Sequence, residues 1–411
     1  MLSPLQRWVE EKTGLGASLN PHTLEEWQFA RLRKQLAYAR RRSPYYAETL
    51  QGLDIACVRG REDLPQLPFT PPRVLREEPQ KLLCVSGGDT ARVATLNTSG
   101  SSGDEKRVWF SESDLARTVE FFAQGMSTMT EKGQLALILL SSSTPDSLGD
   151  LLSRALTGIG VQGVIHGPVR DVKEAAAAAE KAHCLVGLPV QINRLCLSAP
   201  HLRPATVLLT ADYVPGGIAE NIRRLWGSAV FTHYGMTENG FGLAVQCSAF
   251  EAHHLRDTEF ILEIVDPSNG EPLPDGEWGE LALTSLSNEA MPLIRYRTGD
   301  ITRRIAAPCA CGGILPRLDK VRGRIANITQ PYPSHALDEA LFSLPELLDY
   351  RARLLPGGVL ALTIDSLSPY SEESVRQALH RQELEVPALE LRHEPLPVFS
   401  GPAKRNIFSG N

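Results

Sequence analysis

The sequence predicts an α/β protein. A large N-terminal domain with mixed and parallel sheets and a β-rich subdomain is expected to precede a small C-terminal α+β lobe. Three observations carry this expectation. Between residues 93 and 245, short β-branched or leucine-rich runs alternate with helical stretches, the pattern of strand–helix crossovers in a largely parallel sheet. After Phe260 the pattern changes to strand, turn, strand. Beyond Asn327, two helical stretches flank a strand.

In chain order, residues 24–53 place Trp27, Ala30, Leu32, Leu36 and Ala39 at helical spacing and then reach Ser43-Pro44, so an amphipathic helix ends near the proline. Its basic run 40–42 reads as a solvated helix face. Strands are expected at 135–140, 163–166 and 207–210, with helices at 148–156, 171–183 and around 218–226. Ligands of such sheets bind in loops beyond the carboxyl ends of the strands. A hairpin is expected from 260–265 and 279–284 around a turn at 267–270, with further strands at 293–297 and 301–305. Helices at 334–341 and 372–382 and a strand at 359–364 build the last lobe, and the boundary falls near residues 323–327.

At 411 residues the chain is long for one core, so two or three domains are expected. A net charge of -6 argues against nucleic acid as a partner, because backbone binding needs a basic face. No run supplies the roughly 20 apolar residues of a membrane helix, and the first residues carry charges instead of a secretory apolar core. A cytoplasmic monomer or homodimer without membrane contact is expected. The odd count of seven cysteines fits reduced thiols.

Four separated segments carry chemistry. Thr98-Ser-Gly-Ser-Ser-Gly-Asp-Glu-Lys-Arg107 offers backbone N–H groups, hydroxyls and positive charge to phosphate. His233-Tyr-Gly-Met-Thr-Glu238 offers a carboxylate to a hard cation, or equally a helix start capped by Thr237. Tyr296-Arg-Thr-Gly-Asp300 sets a carboxylate on a tight bend at Gly299, suited to ribose hydroxyls or to a plain turn. Lys404, in Gly401-Pro-Ala-Lys-Arg405, offers an ammonium.

Taken in order, these segments resemble the adenylate-forming acyl-CoA synthetases, and within them the phenylacetate-CoA ligase branch. The resemblance runs from about Leu24 to Lys404 and includes Asp63-Leu-Pro-Gln-Leu-Pro-Phe-Thr70, Glu289-Ala-Met-Pro-Leu-Ile-Arg-Tyr296, Pro316-Arg-Leu-Asp-Lys-Val-Arg-Gly-Arg324 and Tyr332-Pro-Ser334. It implies a two-step reaction in which a carboxylic acid and ATP give an acyl-adenylate and CoA then takes the acyl group. On that resemblance Thr98, Ser99, Gly100, Ser101, Ser102, Gly103 and Lys106 hold phosphates and Glu238, beside Thr237, holds Mg²⁺. Tyr234, Gly235, Asp300 and Arg324 contact the nucleotide, and Lys404 offsets charge at the reacting phosphate. It divides the chain into a large domain, 1–323, and a small mobile one, 324–411. The family's acidic hinge residue after the Gly-Arg pair is here Ile325, and the following loop is shortened to residues 328–332.

Cys309-Ala-Cys311 forms a tight thiolate pair, with Cys247 upstream and His253 and His254 close behind; three cysteines and a histidine are a common tetrahedral zinc set. The branch resembles the chain here too, and counting back from Phe260 selects His254 over His253. Cys247, His254, Cys309 and Cys311 then hold structural Zn²⁺ in the β-rich subdomain, 247–323. Phe121, Phe122, Met126 and residues 235–241 line an acyl pocket or pack a core, and an aryl or arylalkyl acid is the branch's usual substrate. Two alternatives remain beside the ligase: an adenylating enzyme with a non-CoA acceptor, and a zinc-stabilised nucleotide-binding protein without turnover.

Overall fold

The computed structural model describes residues 3–97, 105–142, 144–305, 307–398 and 408–409. By packing, the chain forms two compact units, each built from two chain segments. Unit 1 comprises residues 1–128 and 233–321, and unit 2 comprises 129–232 and 322–411. The junction at 321/322 lies beside the boundary expected near 323–327. The division 1–323 and 324–411 concerns which part moves and returns below as a proposal.

In unit 1 the long helix Pro21–Arg42 starts at an Asn20–Thr23 capping box and stops at Ser43, ahead of Pro44. Phe29, Leu32, Leu36 and Ala39 form its buried stripe. From the same helix, Gln28 donates to the Asp257 carbonyl at 2.8 Å and Gln35 to that of Asn288 at 2.6 Å. The hairpin Phe260–Val265 with Gly279–Ser285 forms as expected, antiparallel, and Tyr296–Thr302 adds a third antiparallel strand.

That third strand corrects the sequence expectation of two strands, 293–297 and 301–305, either side of a bend. Ala282 faces Arg297 and Glu280 faces Ile301, so Tyr296–Thr302 carries two more residues than its partner over that interval. The surplus forms a bulge in which Gly299 takes φ 77° and its N–H donates to Glu280 Oε1 at 2.9 Å. A left-handed glycine absorbs the extra length without ending the ladder.

Unit 2 holds a parallel sheet in the order Gln162–Ile165, Leu135–Leu139, Cys184–Gly187, Thr206–Leu209 and the first four residues of Ala229–Tyr234. Helices Leu148–Gly158, Val172–Ala179, Pro189–Ser198 and Gly216–Trp226 make its crossovers. The strand Cys184–Gly187 and the helix Pro189–Ser198 are additions to the expected list. The second segment forms a sheet ordered Ala388–His393, Val359–Ser366, Leu347–Leu355, Phe408–Ser409. Helices Ser334–Leu341 and Glu372–His380 belong to the same segment. One core joins both segments, with Leu185, Ile192, Leu195 and Ile218 packed in the cluster that includes Leu341, Phe342, Leu347 and Val375. Among the described residues no helix is long and apolar enough to cross a membrane.

The two segments approach closely at Gly217. A Cβ there would lie 1.9 Å from the Phe342 carbonyl oxygen, a backbone atom that cannot swing aside. Gly217→Ala is therefore expected to destabilise the fold by about 2 kcal/mol or more, lowering the melting temperature by roughly 4–8 °C. An unchanged melting temperature in scanning calorimetry would refute this close packing.

Candidate active site and metal centre

The strand Ala229–Tyr234 begins in unit 2 and ends in unit 1, where His233 and Tyr234 pair with Val245 and Ala244. The chain then turns sharply through the 3-10 turn Thr237–Asn239. A Cβ on Gly235 would meet the Phe241 carbonyl oxygen at 2.1 Å, and Gly240 and Phe241 both take positive φ, 72° and 69°. Sequence reasoning allowed Thr237 as a helix cap for Glu238. The structure corrects this, because the turn is capped from Met236, whose N–H donates to Asn239 Oδ1 at 3.2 Å. This geometry turns Glu238 inward, where it is 3% exposed.

Lys106, 5% exposed on the strand Glu105–Phe110, meets that carboxylate. Its Nζ donates to Glu238 Oε1 at 3.2 Å and to the Tyr296 hydroxyl at 3.1 Å. The Tyr296 hydroxyl in turn donates to Glu238 Oε1 at 3.2 Å, closing a buried triangle. A desolvated pair of this kind costs about 3–5 kcal/mol to break by removing one partner. Sequence reasoning assigned Lys106 to phosphate and did not find Tyr296, whose part rests on contacts 58 and 190 residues away along the chain.

Asp300 follows the bulge and is 3% exposed. Its Oδ2 accepts the Tyr234 hydroxyl at 2.7 Å, and its N–H donates to Thr298 Oγ1 at 3.0 Å. Two predicted nucleotide residues thus touch each other. Arg324 belongs to unit 2, on the short strand Gly323–Arg324. Thr98, Ser99, Gly100, Ser101, Ser102, Gly103 and Lys404 lie outside the described residues. The Phe121 and Phe122 rings lie 6.4 and 5.9 Å from the ring of His233. Desolvation pulls His233 down to about 3, so it stays neutral.

The four predicted zinc residues come together in unit 1. Strand Arg304–Ile305 pairs with Arg317–Leu318, which pairs with His253–Leu255, which pairs with Ala244–Gln246. That ladder brings Cys247, just past one strand, to His254 on the next and to the turn holding Cys309 and Cys311. Their ligand atoms all lie within 4.8 Å of one another. Cys247 Sγ is 3.6 Å from Cys309 Sγ, and Cys311 Sγ is 3.5 Å from His254 Nε2. A tetrahedron with Zn–S of about 2.3 Å and Zn–N of about 2.0–2.1 Å has edges of roughly 3.8 and 3.6 Å. The donor set and its spacing therefore fit Zn²⁺.

Backbone N–H groups of Ala249 and Gly313 point to the Cys247 and Cys311 sulfurs at 3.5 and 3.3 Å. Burial pushes the Cys247 thiol up to about 12, and burial, then Arg317, pulls His254 down to about 4. His254 is thereby held in the neutral form that a metal needs.

The model of a family described as AMP-binding enzyme matches residues 76–288, slightly more than half of the chain. The phenylacetate-coenzyme A ligase of Thermus thermophilus is 27% identical over 80% of this chain and 77% of its own length. The corresponding ligase of Pseudomonas putida is 26% identical over 73% and 70%. Among solved structures, a 2-hydroxyisobutyryl-CoA ligase in the postadenylation state matches with a TM-score of 0.77, covering 96% of this chain and 90% of that one. At 19% identity that likeness is one of fold. Sheet, turn and sequence agree on an adenylate-forming enzyme. The chain belongs to the AMP-binding enzyme family.

Proposed function

We propose that this protein is an AMP-forming acid–thiol ligase that activates a carboxylic acid, of aryl or arylalkyl type, with ATP and passes the acyl group to CoA. The carboxylate oxygen bonds to the α-phosphorus while the bond to the β-phosphate oxygen breaks, releasing pyrophosphate. The CoA thiolate then attacks the acyl carbonyl, and AMP leaves. The observation that carries this reading is the buried Lys106–Glu238–Tyr296 triangle on a family-matched fold, beside a second buried carboxylate, Asp300.

The residues present fit magnesium, since a buried hard carboxylate already holds a cation, the Lys106 ammonium, at 3.2 Å. Glu238 would hold Mg²⁺, which would neutralise phosphate charge. In this reading Lys106 and residues Thr98 to Gly103 bind the leaving phosphates, and Tyr234, Gly235, Asp300 and Arg324 receive the nucleoside. Lys404, on a mobile domain of residues 324–411, steadies charge at the α-phosphate. Cys247, His254, Cys309 and Cys311 hold a structural Zn²⁺, because four protein ligands leave no open position.

Carboxylate-dependent pyrophosphate–ATP exchange across aryl and arylalkyl acids, followed by CoA-dependent release of AMP, tests the reading. ATP binding without exchange for any acid would reduce the protein to a nucleotide-binding one. An acyl-adenylate that survives excess CoA would favour the second reading, transfer to another acceptor, for which Ile325 at the hinge and the short loop 328–332 speak. Lys404→Ala is expected to slow exchange by about 10²–10³-fold while thioester formation from supplied acyl-adenylate persists. Equal loss in both assays contradicts that role.

A further inference from the structure

We propose that Glu280 is a positioning residue for the nucleoside: from the neighbouring strand it locks the bulge at Gly299, and the locked bulge aims the Asp300 carboxylate at the ribose hydroxyls. This rests on the adenylation reading above, in which Asp300 receives the nucleoside. Glu280 lies on the strand Gly279–Ser285, paired with Val265 on one side and with Ile301 on the other, and is 2% exposed. Its two carboxylate oxygens have separate tasks. Oε1 accepts the Gly299 N–H at 2.9 Å, while Oε2 accepts Arg297 Nε at 2.6 Å and Arg297 Nη2 besides.

The bulge makes such a lock necessary. With Arg297 facing Ala282 and Ile301 facing Glu280, the residues Thr298, Gly299 and Asp300 stand against Leu281 alone. They leave the ladder, so its regular N–H···O bonds do not fix them. Side chains do so instead. Thr298 Oγ1 donates to the Leu281 carbonyl at 2.7 Å and accepts the Asp300 N–H at 3.0 Å. Gly299 stands between the two at φ 77°, and a glycine adopts other φ values as readily. The bond from its N–H to Glu280 selects this one, and the peptide that follows carries Asp300. Arg297 keeps the Glu280 carboxylate in place. Its Nη2 also donates to the Pro267 carbonyl at 2.9 Å, its N–H donates to the Thr70 carbonyl at 3.1 Å, and its guanidinium carbon lies 5.0 Å from the centre of the Phe69 ring. At the far end Asp300, 3% exposed, accepts the Tyr234 hydroxyl at 2.7 Å. The action of Glu280 on the nucleoside therefore runs through Gly299.

Glu280→Gln keeps the volume and tests the role. Whichever way the amide turns, its NH₂ faces either the Gly299 N–H or the Arg297 guanidinium, so one of the two bonds is lost. Pyrophosphate–ATP exchange is measured with ATP and with 2′,3′-dideoxy-ATP, which lacks both ribose hydroxyls. Wild type is expected to prefer ATP in kcat/KM by about 100-fold or more, the scale of two hydrogen bonds to a charged group. In Glu280→Gln that preference shrinks by about 10-fold, because kcat/KM falls with ATP and holds within about 3-fold with the dideoxy nucleotide. A merely structural loss lowers both nucleotides alike, leaves the preference unchanged and overturns the positioning role.

Gly299→Ala tests the same bulge with every charge in place. Among the described residues a Cβ there meets nothing within 4 Å, so the change adds only the strain of a positive φ. It too is expected to shrink the ribose preference by about 10-fold, and an unchanged preference refutes the bulge as the device that aims Asp300. Wild type that exchanges equally well with both nucleotides overturns the proposal and leaves the adenylation reading intact. Wild type that exchanges with neither, for any acid, overturns both.

Discussion

Glu238→Gln is expected to slow adenylate formation by about 10²–10³-fold, the scale set by loss of one preorganised electrostatic group. The amide can still accept from Tyr296 and Lys106, so the shape of the turn at Thr237–Asn239 should survive. What it lacks is charge. The Lys106 ammonium, 6% exposed along its side chain, is then buried opposite a neutral group. Stability should fall by about 3 kcal/mol for that reason alone. The two effects separate experimentally: chemical denaturation reads the second, and pyrophosphate–ATP exchange at saturating Mg²⁺ reads the first. Exchange at the wild-type rate would remove Glu238 from the reaction.

The metal centre carries the other large effect. Purified protein should contain one zinc per chain by elemental analysis, and Cys309→Ser should lose it. Closed structural sites bind zinc with apparent free energies of about 10–16 kcal/mol, so even partial coupling to folding should cost about 3 kcal/mol or more. A melting temperature lower by roughly 6–12 °C follows. Removing Cys309 also takes away the thiol 3.6 Å from the buried Cys247 sulfur. Wild-type protein free of zinc after purification without chelators would refute the centre.

The parallel sheet was legible in the sequence because its crossovers alternate strand and helix periods over a long span. Cys184–Gly187 escaped because a four-residue strand buried at every position shows no alternation to read. Leu347–Leu355 was missed although Asp349, Arg351 and Arg353 alternate with Tyr350, Ala352 and Leu354 at strand spacing. The four cysteine and histidine residues proposed for zinc were legible as residue types at short spacings, and the fold groups His254, with its Nε2 3.5 Å from Cys311 Sγ, with the three cysteines. Tyr296 was not legible as a partner of Glu238. Its sequence neighbours read either as a plain turn or as a segment suited to ribose, and only the fold carries its hydroxyl to the turn at Thr237–Asn239.

The interleaving of the two units also bears on how the chain is born. Unit 1 opens with residues 1–128, yet its remaining segment ends at residue 321. At a synthesis rate of about 5–20 residues per second, the first segment waits on the order of 10–40 s for its complement. During that wait Gln28 and Gln35 of the long helix lack the Asp257 and Asn288 carbonyls to which they donate. Residues 129–232 emerge next and are themselves incomplete until the last segment follows. Neither unit can be completed in simple N-to-C order, because each waits for a segment that lies beyond the other's first one.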